Sequence, residues 1–275
     1  PLPIEWWSKE TIMSGSVTAE VRYLNAEWKE REGIPSIGDR ESRRAHTSKF
    51  AVSINDARGM DLDLDTSGFV LTEHSSEVGN FRDDAEVRLT YYSEVSEIVK
   101  ELTGADEVFI TQHVVRTEDT SNFNAAYARF VHSDYSLSDP ESNREHALAD
   151  HKGELDVAKP WEFAWYNTWQ PFDREVQKNP LAVIDARCLG EDDVVDYYYT
   201  GYGGKGLSSM PVFNPNYRLY YFSRMQTSEM MVFKQLDTRP GKAFSCPHTS
   251  FDLEASDDAL GRRSIEVRMM CAFAG

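Results

Sequence analysis

The pattern of hydrophobic and polar positions predicts an amphipathic helix that precedes many short strands. From Asp84 onward apolar residues recur at steps of three and four, and the pattern ends at Gly104, a suitable left-handed residue after a helix. The recurring positions are Val87, Tyr91, Val95, Ile98, Val99 and Leu102. A shorter helix is predicted over 139–151, with Asp139 as N-cap and Pro140 at the first helical position. We expect the longer helix to pack against a sheet, because its apolar side chains share one face.

Short β-rich runs dominate the rest of the chain. Turn signals such as GYGGKG, NPN and RPGK separate them. The runs are 16–24, 107–115, 162–169, 181–186, 194–200, 217–222, 230–235 and 264–270. Helices do not alternate with the strands after residue 150, which argues against a parallel α/β fold. The pattern therefore predicts a mainly β (α+β) protein with a jelly-roll, cupin-like core and flanking N-terminal helices.

The chain is expected to form a single domain over residues 1–275. The sequence contains no repeat, low-complexity tract or long linker that would divide it. Residues 1–83 are expected to be an N-terminal elaboration, in which the mixed-charge stretch 26–49 resembles a surface loop. Residues 84–275 would then contain the helix and the jelly-roll core.

Composition and charge narrow the class of protein. Hydrophobic residues make up 40% of the 275 residues and aromatic residues 12%, which is enough to fill a core. There are 29 basic and 46 acidic residues, which give a formal net charge of −17. Such a charge repels phosphate backbones and anionic membranes, so neither nucleic acid nor membrane partners are expected. A small-molecule substrate or a basic partner fits better.

The cysteines and the chain start favour a cytoplasmic location. Cys188, Cys246 and Cys271 are odd in number and widely spaced, which suits neither a disulfide framework nor a zinc site. No apolar run approaches the roughly 20 residues that span a bilayer, and the start lacks the features of a secretory signal. The oligomeric state stays open, with a homodimer as one option.

A candidate metal site comes from His132, Asp134 and His248. The first two are one residue apart in RFVHSDYS, and in an extended backbone residues i and i+2 point to the same face. His248 lies in CPHTSF, 114 residues after Asp134, and wrapping of the strands into a jelly roll would bring it to the same point. Two imidazoles and one carboxylate leave three Fe(II) positions open for a bidentate 2-oxo acid and dioxygen. The short motif alone leaves a solvated turn as an alternative.

The run RRSIEVRMM, which follows His248, contains arginines that could bind an anionic cosubstrate. Arg262 and Ser264 share one face of this predicted strand. A guanidinium binds both oxygens of a carboxylate, so the pair suits the distal carboxylate of 2-oxoglutarate. Arg268 is the second candidate, although it could instead pair with Glu266, and Arg262 could belong to a surface pair with Arg263.

Seven sequence blocks in order resemble one family over roughly residues 85–272. They are LTGADEV with the following strand and Arg116, VHSDYS, YNTWQP, PLAVIDAR, NPNYRLYYFSRMQTSEMMVFKQLDT, CPHTSF and RRSIEVR. The chain is similar to the fungal and bacterial hydroxylase/desaturase family of Fe(II)/2-oxoglutarate-dependent oxygenases, the group of gibberellin desaturase and a cephem methoxylation subunit.

The resemblance implies a double-stranded β-helix that uses Fe(II), 2-oxoglutarate and dioxygen. It implies oxidation of an unactivated C–H bond in a specialised metabolite or amino-acid-derived substrate, by hydroxylation, desaturation or ring formation. By position, it implies that His132, Asp134 and His248 bind the metal and that Arg262 and Ser264 bind the cosubstrate. The family usually has Asn-x-Trp-Arg-Pro where this chain has Gln170 in place of the arginine. Gln170 is therefore a further candidate for substrate binding, and substrate preference would not transfer if this position faces the pocket.

Further candidates for substrate binding lie near these motifs. Tyr135 directly follows Asp134, whereas Asn167 and Trp169 share one strand face and could line the cavity. Alternatively, Trp169 belongs to the core and Asn167 satisfies a turn. Arg187 could bind a substrate carboxylate or form a salt bridge with a nearby aspartate.

Two other functions are compatible with the sequence. A non-catalytic jelly-roll binding or scaffold protein would use the same histidines structurally. A cupin metalloenzyme would use the metal without a 2-oxo acid. The identity of the substrate and the oxidised carbon do not follow from the sequence.

Overall fold

Two five-stranded sheets and one three-stranded sheet form the framework of the protein. The computed structural model describes residues 15–116, 127–151, 153–156, 159–201 and 203–275. In chain order the strands are β1 (Ser16–Leu24), β2 (Ser36–Ile37), β3 (Thr47–Asp56), β4 (Phe69–Glu73), β5 (Glu107–Arg116), β6 (Trp161–Pro171), β7 (Leu181–Ile184), β8 (Val194–Tyr199), β9 (Gly206–Pro211), β10 (Leu219–Tyr221), β11 (Glu229–Asp237), β12 (His248–Ser250) and β13 (Ser264–Ala274).

Helices are few and lie outside the sheets. They are α1 (Arg40–His46), α2 (Asp84–Glu86), α3 (Tyr92–Thr103) and α4 (Pro140–Ala149), with a π-helical turn (Val87–Tyr91) between α2 and α3 and 3₁₀ turns at Ala26–Lys29, Ala186–Cys188 and Glu191–Asp193. The predicted N-cap of α4 is present, because the Asp139 side chain accepts a hydrogen bond from the Ser142 amide. Among the described residues no helix is long and apolar enough to cross a membrane.

The sheet orders agree with the predicted jelly roll. The first large sheet has the order β1-β3-β10-β7-β12, and the second has the order β4-β11-β6-β13-β5. The small sheet has the order β2-β8-β9. Neighbouring strands are antiparallel except for the β3–β10 and β2–β8 pairs. Isolated bridges at His132 and Ser133 join the segment before α4 to β12 and β9, which closes the roll around the candidate site.

The second large sheet is covered on one face by the long helical segment that begins at α2 and ends with α3. Val87, Tyr91, Val95 and Val99 are fully buried there, against alternate residues of β13 such as Ile265 and Val267. Gly104 ends the helix with a φ of 71°, as predicted. Leu102 differs from the prediction, since it is 39% exposed. The even-numbered residues at the start of β13 face the other side, toward the first sheet and the candidate site.

The first 83 residues contribute strands to both large sheets. β1 and β3 pair along nine residues each, and β4 pairs with β11, so the boundary expected at residue 84 does not separate two sets of strands. The surface-loop prediction for residues 26–49 is wrong in its second half. A capping box between Asp39 and Ser42 starts α1, and β3 begins directly after this helix at Thr47.

Candidate metal centre

His132 and His248 lie side by side because their backbones pair with each other. The His132 amide donates to the His248 carbonyl at 3.0 Å, and the His248 amide donates to the His132 carbonyl at 2.8 Å. Residues that face each other in an antiparallel pair direct their side chains to the same side. The two imidazole ring centres are consequently 4.4 Å apart.

Asp134 reaches the same point from two residues beyond His132. Its Oδ1 lies 3.5 Å from His132 Nε2, and its Oδ2 lies 3.8 Å from His248 Nε2. One ligand atom from each of the three side chains lies within 4.8 Å of the others. The three side chains are at most 8% exposed. The structure thus brings together the three residues that the sequence predicted as a group.

Two residues of the second large sheet hold the Asp134 carboxylate. Asn167 Nδ2 donates to Oδ2 at 2.6 Å, and Arg268 Nη2 contacts Oδ1 at 2.7 Å. Asn167 and Arg268 are direct partners in the β6–β13 pairing. A carboxylate can accept about four hydrogen bonds, so each Asp134 oxygen keeps a lone pair for a cation. Asn167 therefore contacts a candidate metal ligand.

The histidines also have fixed orientations. His132 Nδ1 lies 3.0 Å from the Phe130 carbonyl, which can only accept a hydrogen bond, so Nδ1 carries a proton and Nε2 is the atom directed toward Asp134. Gln235 contacts the other two candidate ligands, Asp134 and His248. It is buried, and the sequence analysis did not single it out. Its Oε1 accepts from the Asp134 amide at 2.8 Å, and its Nε2 lies 3.4 Å from His248 Nδ1.

The electrostatic environment favours an ionised carboxylate beside a neutral imidazole. Burial by itself would raise the pKa of Asp134, but Arg268 and the two histidines outweigh burial and lower this pKa well below its usual range. Burial, and then the neighbouring His132, lower the pKa of His248 well below its ordinary value. Metal binding requires these protonation states, because both residues must offer a lone pair.

Arg262 is buried, and no carboxylate of the described residues forms a salt bridge with it. Its guanidinium stacks over the rings of Tyr127 and Trp169, at 4.2 and 5.1 Å from their centres. Its Nη1 donates to the Asn179 carbonyl and to Ser250 Oγ. Burial lowers the pKa of Arg262 to about 9. Glu266 offsets only part of this effect, and no salt bridge to Arg262 is formed by the described residues.

Two buried polar atoms of the predicted cosubstrate pair lack a hydrogen-bond partner within the described part of the chain. They are Arg262 Nε and Ser264 Oγ. Buried donors are normally paired, because leaving one unpaired costs about 1–3 kcal/mol. The predicted cosubstrate pair therefore presents unused hydrogen-bonding capacity.

Arg268, the alternative cosubstrate residue, is already engaged. It contacts Asp134, and its Nε donates to Glu266 Oε1 at 2.9 Å. Burial alone would lower the pKa of Arg268, but Asp134 and Glu266 raise it above its ordinary range. Glu266 also lies 3.7 Å from His248 Nε2, which adds a residue that the sequence analysis did not assign to the site.

A cavity of about 800 Å³ opens beside the candidate metal centre, at its His132 and Asp134 side. His132, Asp134, Tyr135 and Arg268 line it, so Tyr135 lies at the edge of this cavity. The other predicted substrate-binding residues are absent from the described lining; they are Asn167, Trp169, Gln170 and Arg187. Trp169 instead lies in a buried apolar cluster and stacks on Arg262.

Gln170, one of the substrate-binding candidates, faces away from the described cavity. Residues 167 and 169 face the site, so the period of two along β6 turns Gln170 toward the helical layer. There its Oε1 accepts from Tyr91 Oη at 2.7 Å and lies 2.8 Å from His74 Nδ1. Its Nε2 donates to the carbonyls of His74 and Thr227. The glutamine links three segments of the fold and is only 1% exposed.

Arg187 forms the salt bridge that the sequence left as an alternative. Its Nε and Nη2 each lie 2.8 Å from a carboxylate oxygen of Asp185, which is fully buried. The arginine side chain itself is 42% exposed. In this arrangement Arg187 compensates a buried charge.

Comparisons with known proteins identify the family of this chain. Residues 22–272 match the family described as "Oxidoreductase/YMDC permease-like domain", and the chain belongs to this family. It is similar to "Alpha-ketoglutarate-dependent dioxygenase phiK" of Fungal sp. (strain ATCC 74256), with 28% identity over 87% of this chain and 91% of the relative. It is also similar to "Hydroxylase/desaturase efuI" of Hormonema carpetanum, with 29% identity over 83% of this chain and 85% of the relative.

A solved structure supports the fold. The chain resembles "iron and alpha-ketoglutarate-dependent endoperoxidase NvfI" with a TM-score of 0.76 and 23% identity, over 94% of this chain and 99% of that chain. The predicted jelly-roll fold is confirmed by this likeness. The names of the relatives confirm the predicted class of enzyme, the non-haem iron and 2-oxoglutarate-dependent dioxygenases.

Proposed function

We propose that this protein uses Fe(II), 2-oxoglutarate and dioxygen to oxidise a C–H bond of a small specialised metabolite, with His132, Asp134 and His248 as the metal ligands. The observation that carries the proposal is the convergence of these three buried side chains beside a cavity of about 800 Å³. Hydroxylation, desaturation and ring formation are all compatible outcomes. A cytoplasmic location and a homodimeric state stay predictions.

The donor set fits iron. Two imidazoles and one carboxylate are the ligands typical of non-haem Fe(II) oxygenases, and they leave coordination positions for other groups. The low pKa of Asp134 and the neutral state of His248 supply the required lone pairs. Asn167 and Arg268 keep the carboxylate in place without using all of its lone pairs.

Arg262 and Ser264 fit the distal carboxylate of 2-oxoglutarate. Their unpaired Nε and Oγ atoms would gain acceptors, and the buried guanidinium would gain a counter-charge. Ser264 precedes Glu266 by two residues on the same face of β13, and Glu266 lies 3.7 Å from His248. Two residues of strand span about 6.7 Å, which is comparable with the length of a five-carbon dicarboxylate.

Bound iron, with 2-oxoglutarate and dioxygen, supplies the oxidation of an unactivated C–H bond, and 2-oxoglutarate leaves as succinate and carbon dioxide. The protein supplies orientation and exclusion of water. Asn167 and Arg268 orient Asp134, and the Phe130 carbonyl orients His132. The rings of Trp169 and Tyr127 pack against the Arg262 guanidinium and help to fix its position.

The metal ligands are tested by the visible absorption of the anaerobic protein with Fe(II) and 2-oxoglutarate. The chelated complex has a charge-transfer band, which we expect in the wild type and not in His132→Ala. His46→Ala is the matched control. His46 is the last residue of α1, its ring packs on Trp28, and it is not among the described cavity-lining residues. A normal band in His132→Ala, with full succinate formation, would refute the ligand assignment.

The same absorption band, together with the iron content, distinguishes the roles of Arg262 and Arg268. We expect Arg262→Gln to weaken 2-oxoglutarate binding about 10- to 100-fold, the usual effect of losing a charge-assisted hydrogen bond, while iron content stays normal. Arg268→Gln should lower iron affinity instead, because Asp134 loses a partner. The opposite pattern would assign the cosubstrate to Arg268. Oxygen uptake without added 2-oxoglutarate would favour a metalloenzyme of another type.

A further inference from the structure

Residues 132–139, which we call the ligand segment, contain two of the three candidate metal ligands and are attached to β9 by their backbone. The Ser133 amide donates to the Ser209 carbonyl at 2.8 Å, and the Ser209 amide donates to the Ser133 carbonyl at 3.2 Å. Ser208 Oγ donates to the Asp134 carbonyl at 3.1 Å. The ligand segment lies outside the named strands, so its position depends on single contacts of this kind.

The Asp196 carboxylate binds three hydroxyl groups around the ligand segment. Asp196 lies on β8 directly opposite Ser209 of β9, so the two side chains share one face of the small sheet. Its Oδ1 accepts a hydrogen bond from Ser209 Oγ. Its Oδ2 accepts from Ser136 Oγ at 2.7 Å and also from Ser138 Oγ. One carboxylate therefore connects β8 and β9 to the ligand segment.

The carboxylate also fixes the direction of the serine hydroxyls. A carboxylate can only accept hydrogen bonds, so Ser209 and Ser136 both donate their protons to Asp196. Their oxygen atoms stay available as acceptors, and two backbone amides use them. The Leu137 amide donates to Ser209 Oγ at 2.9 Å, and the Asp139 amide donates to Ser136 Oγ at 3.1 Å. Asp196 thus orders backbone groups of the ligand segment that it does not contact itself.

The same contacts connect the ligand segment to the wall of the cavity. Tyr197 follows Asp196 on β8 and lines the cavity, as do Ser136 and Ser208. Tyr197 is buried in an apolar cluster, so this part of the wall is firmly packed. Asp196 is consequently placed where it can hold the Asp134 backbone at a fixed position relative to the cavity wall.

We propose that Asp196 is a positioning residue of the candidate metal centre, because its hydrogen bonds to three serines set the position of Asp134 relative to His248 and the cavity. The inference rests on the proposed function, since it takes Asp134 as a metal ligand. The Asp196 oxygens contact serine hydroxyls, so the effect reaches the metal through the ligand segment. Residues that orient metal ligands in this way contribute to metal affinity.

Asp193 provides a matched control close to Asp196 on the same side of the chain. It lies three residues earlier, directly before β8. Its carboxylate accepts from Asn214 Nδ2 at 2.8 Å and from Tyr217 Oη at 3.2 Å, and it pairs with Lys29 Nζ at 3.0 Å. Asp193 therefore has three side-chain partners as well, but none of these three belongs to the ligand segment. Its removal should lower the stability of the fold without moving the candidate metal centre.

The test is Fe(II) binding to the whole protein, measured by anaerobic equilibrium dialysis without 2-oxoglutarate. Asp196→Ala should weaken iron binding about tenfold, at the lower end of the effect of residues that support metal ligands. Asp196→Asn keeps the shape and one acceptor oxygen, so its affinity should lie between those of Asp196→Ala and the wild type. Asp193→Ala should bind iron as the wild type does. Urea titrations of the metal-free variants measure stability, which both alanine variants should lose.

Ser209→Ala is a milder variant that tests the same contacts. It removes one hydroxyl from Asp196 and the acceptor of the Leu137 amide, whereas Ser136 and Ser138 still bind the carboxylate. We expect iron binding to weaken about threefold, which is the lower part of the range for one neutral hydrogen bond.

Wild-type iron affinity in folded Asp196→Ala would overturn the inference, and so would equal losses of affinity in Asp196→Ala and Asp193→Ala. If Asp196→Ala does not fold, wild-type affinity in Ser209→Ala overturns it. His132→Ala is dialysed in parallel to separate the two proposals. Retained iron affinity in His132→Ala refutes the proposed function. A loss in His132→Ala together with wild-type affinity in Asp196→Ala refutes the positioning role alone.

Discussion

Replacing Gln170 with leucine removes four hydrogen bonds that join β6 to the helical layer and to two loops. The amide is buried, and its partners are Tyr91 Oη, the ring and carbonyl of His74, and the carbonyl of Thr227. Tyr91 and His74 are buried as well, whereas Thr227 is exposed and can bond to water after the change. The stability of the fold should therefore decrease, and the metal and cosubstrate sites should not change.

The magnitude follows from the two buried groups that lose their acceptor. Each unpaired buried donor costs about 1–3 kcal/mol, and the added apolar surface of leucine offsets a part of the total. We expect a decrease of about 2–5 kcal/mol in the free energy of unfolding. Urea titration measures it as the shift in midpoint multiplied by the common slope.

Thr168→Val is the matched control on the same strand and the same face. Thr168 is fully buried, and its Oγ1 has no hydrogen-bond partner within the described residues. Removing this hydroxyl should change stability by less than about 0.5 kcal/mol or increase it. The reasoning would fail if Gln170→Leu kept wild-type stability and weakened 2-oxoglutarate binding, since Gln170 would then act in the cavity.

Two further predictions concern stability. Val99→Ala should lower the free energy of unfolding by about 1–3 kcal/mol, because Val99 is fully buried against the second sheet, whereas Leu89→Ala, at an 82% exposed position, should change it by less than about 0.5 kcal/mol; equal effects in urea titrations would contradict the packing described. The paired hydrogen bonds from Arg58 hold the pKa of Glu229 below its ordinary value. They therefore stabilise the fold above the pKa of the unfolded chain, and this contribution disappears as the pH falls through the folded value. Urea titrations between about pH 5 and pH 3 should show a smaller loss of stability in Arg58→Gln than in the wild type, and identical losses would contradict it.

The sequence predicted the elements whose burial is periodic. The long helix buries Val87, Tyr91, Val95 and Val99 on one face, which is a pattern that periodicity detects. By contrast, α1 has no buried residue, and the signal for its start was the capping residue Asp39. Strand β12 has three residues and exists because it pairs with β7, so local pattern does not reveal it.

The candidate metal centre was predictable from spacing, and its supporting residues were not. His132 and Asp134 share a face in any extended segment, whereas Gln235 and Glu266 reach the site only through the pairing of distant strands. The position of Gln170 could have been excluded from the sequence. If Asn167 and Trp169 face the site, the period of two along a strand requires Gln170 to face away from it.

The backbone bridge between His132 and His248 joins two segments that are far apart in the sequence, and each segment carries candidate metal ligands. We call this junction the seam of the fold. The two residues are 116 positions apart, and the seam closes only after the intervening strands have wrapped around. An ion bound there would fasten the seam, because the open chain does not present the same ligands. By thermodynamic linkage, free metal at 100 times its dissociation constant would favour the closed form by about 2.7 kcal/mol. The ion that takes part in the reaction would thus also stabilise the folded jelly roll.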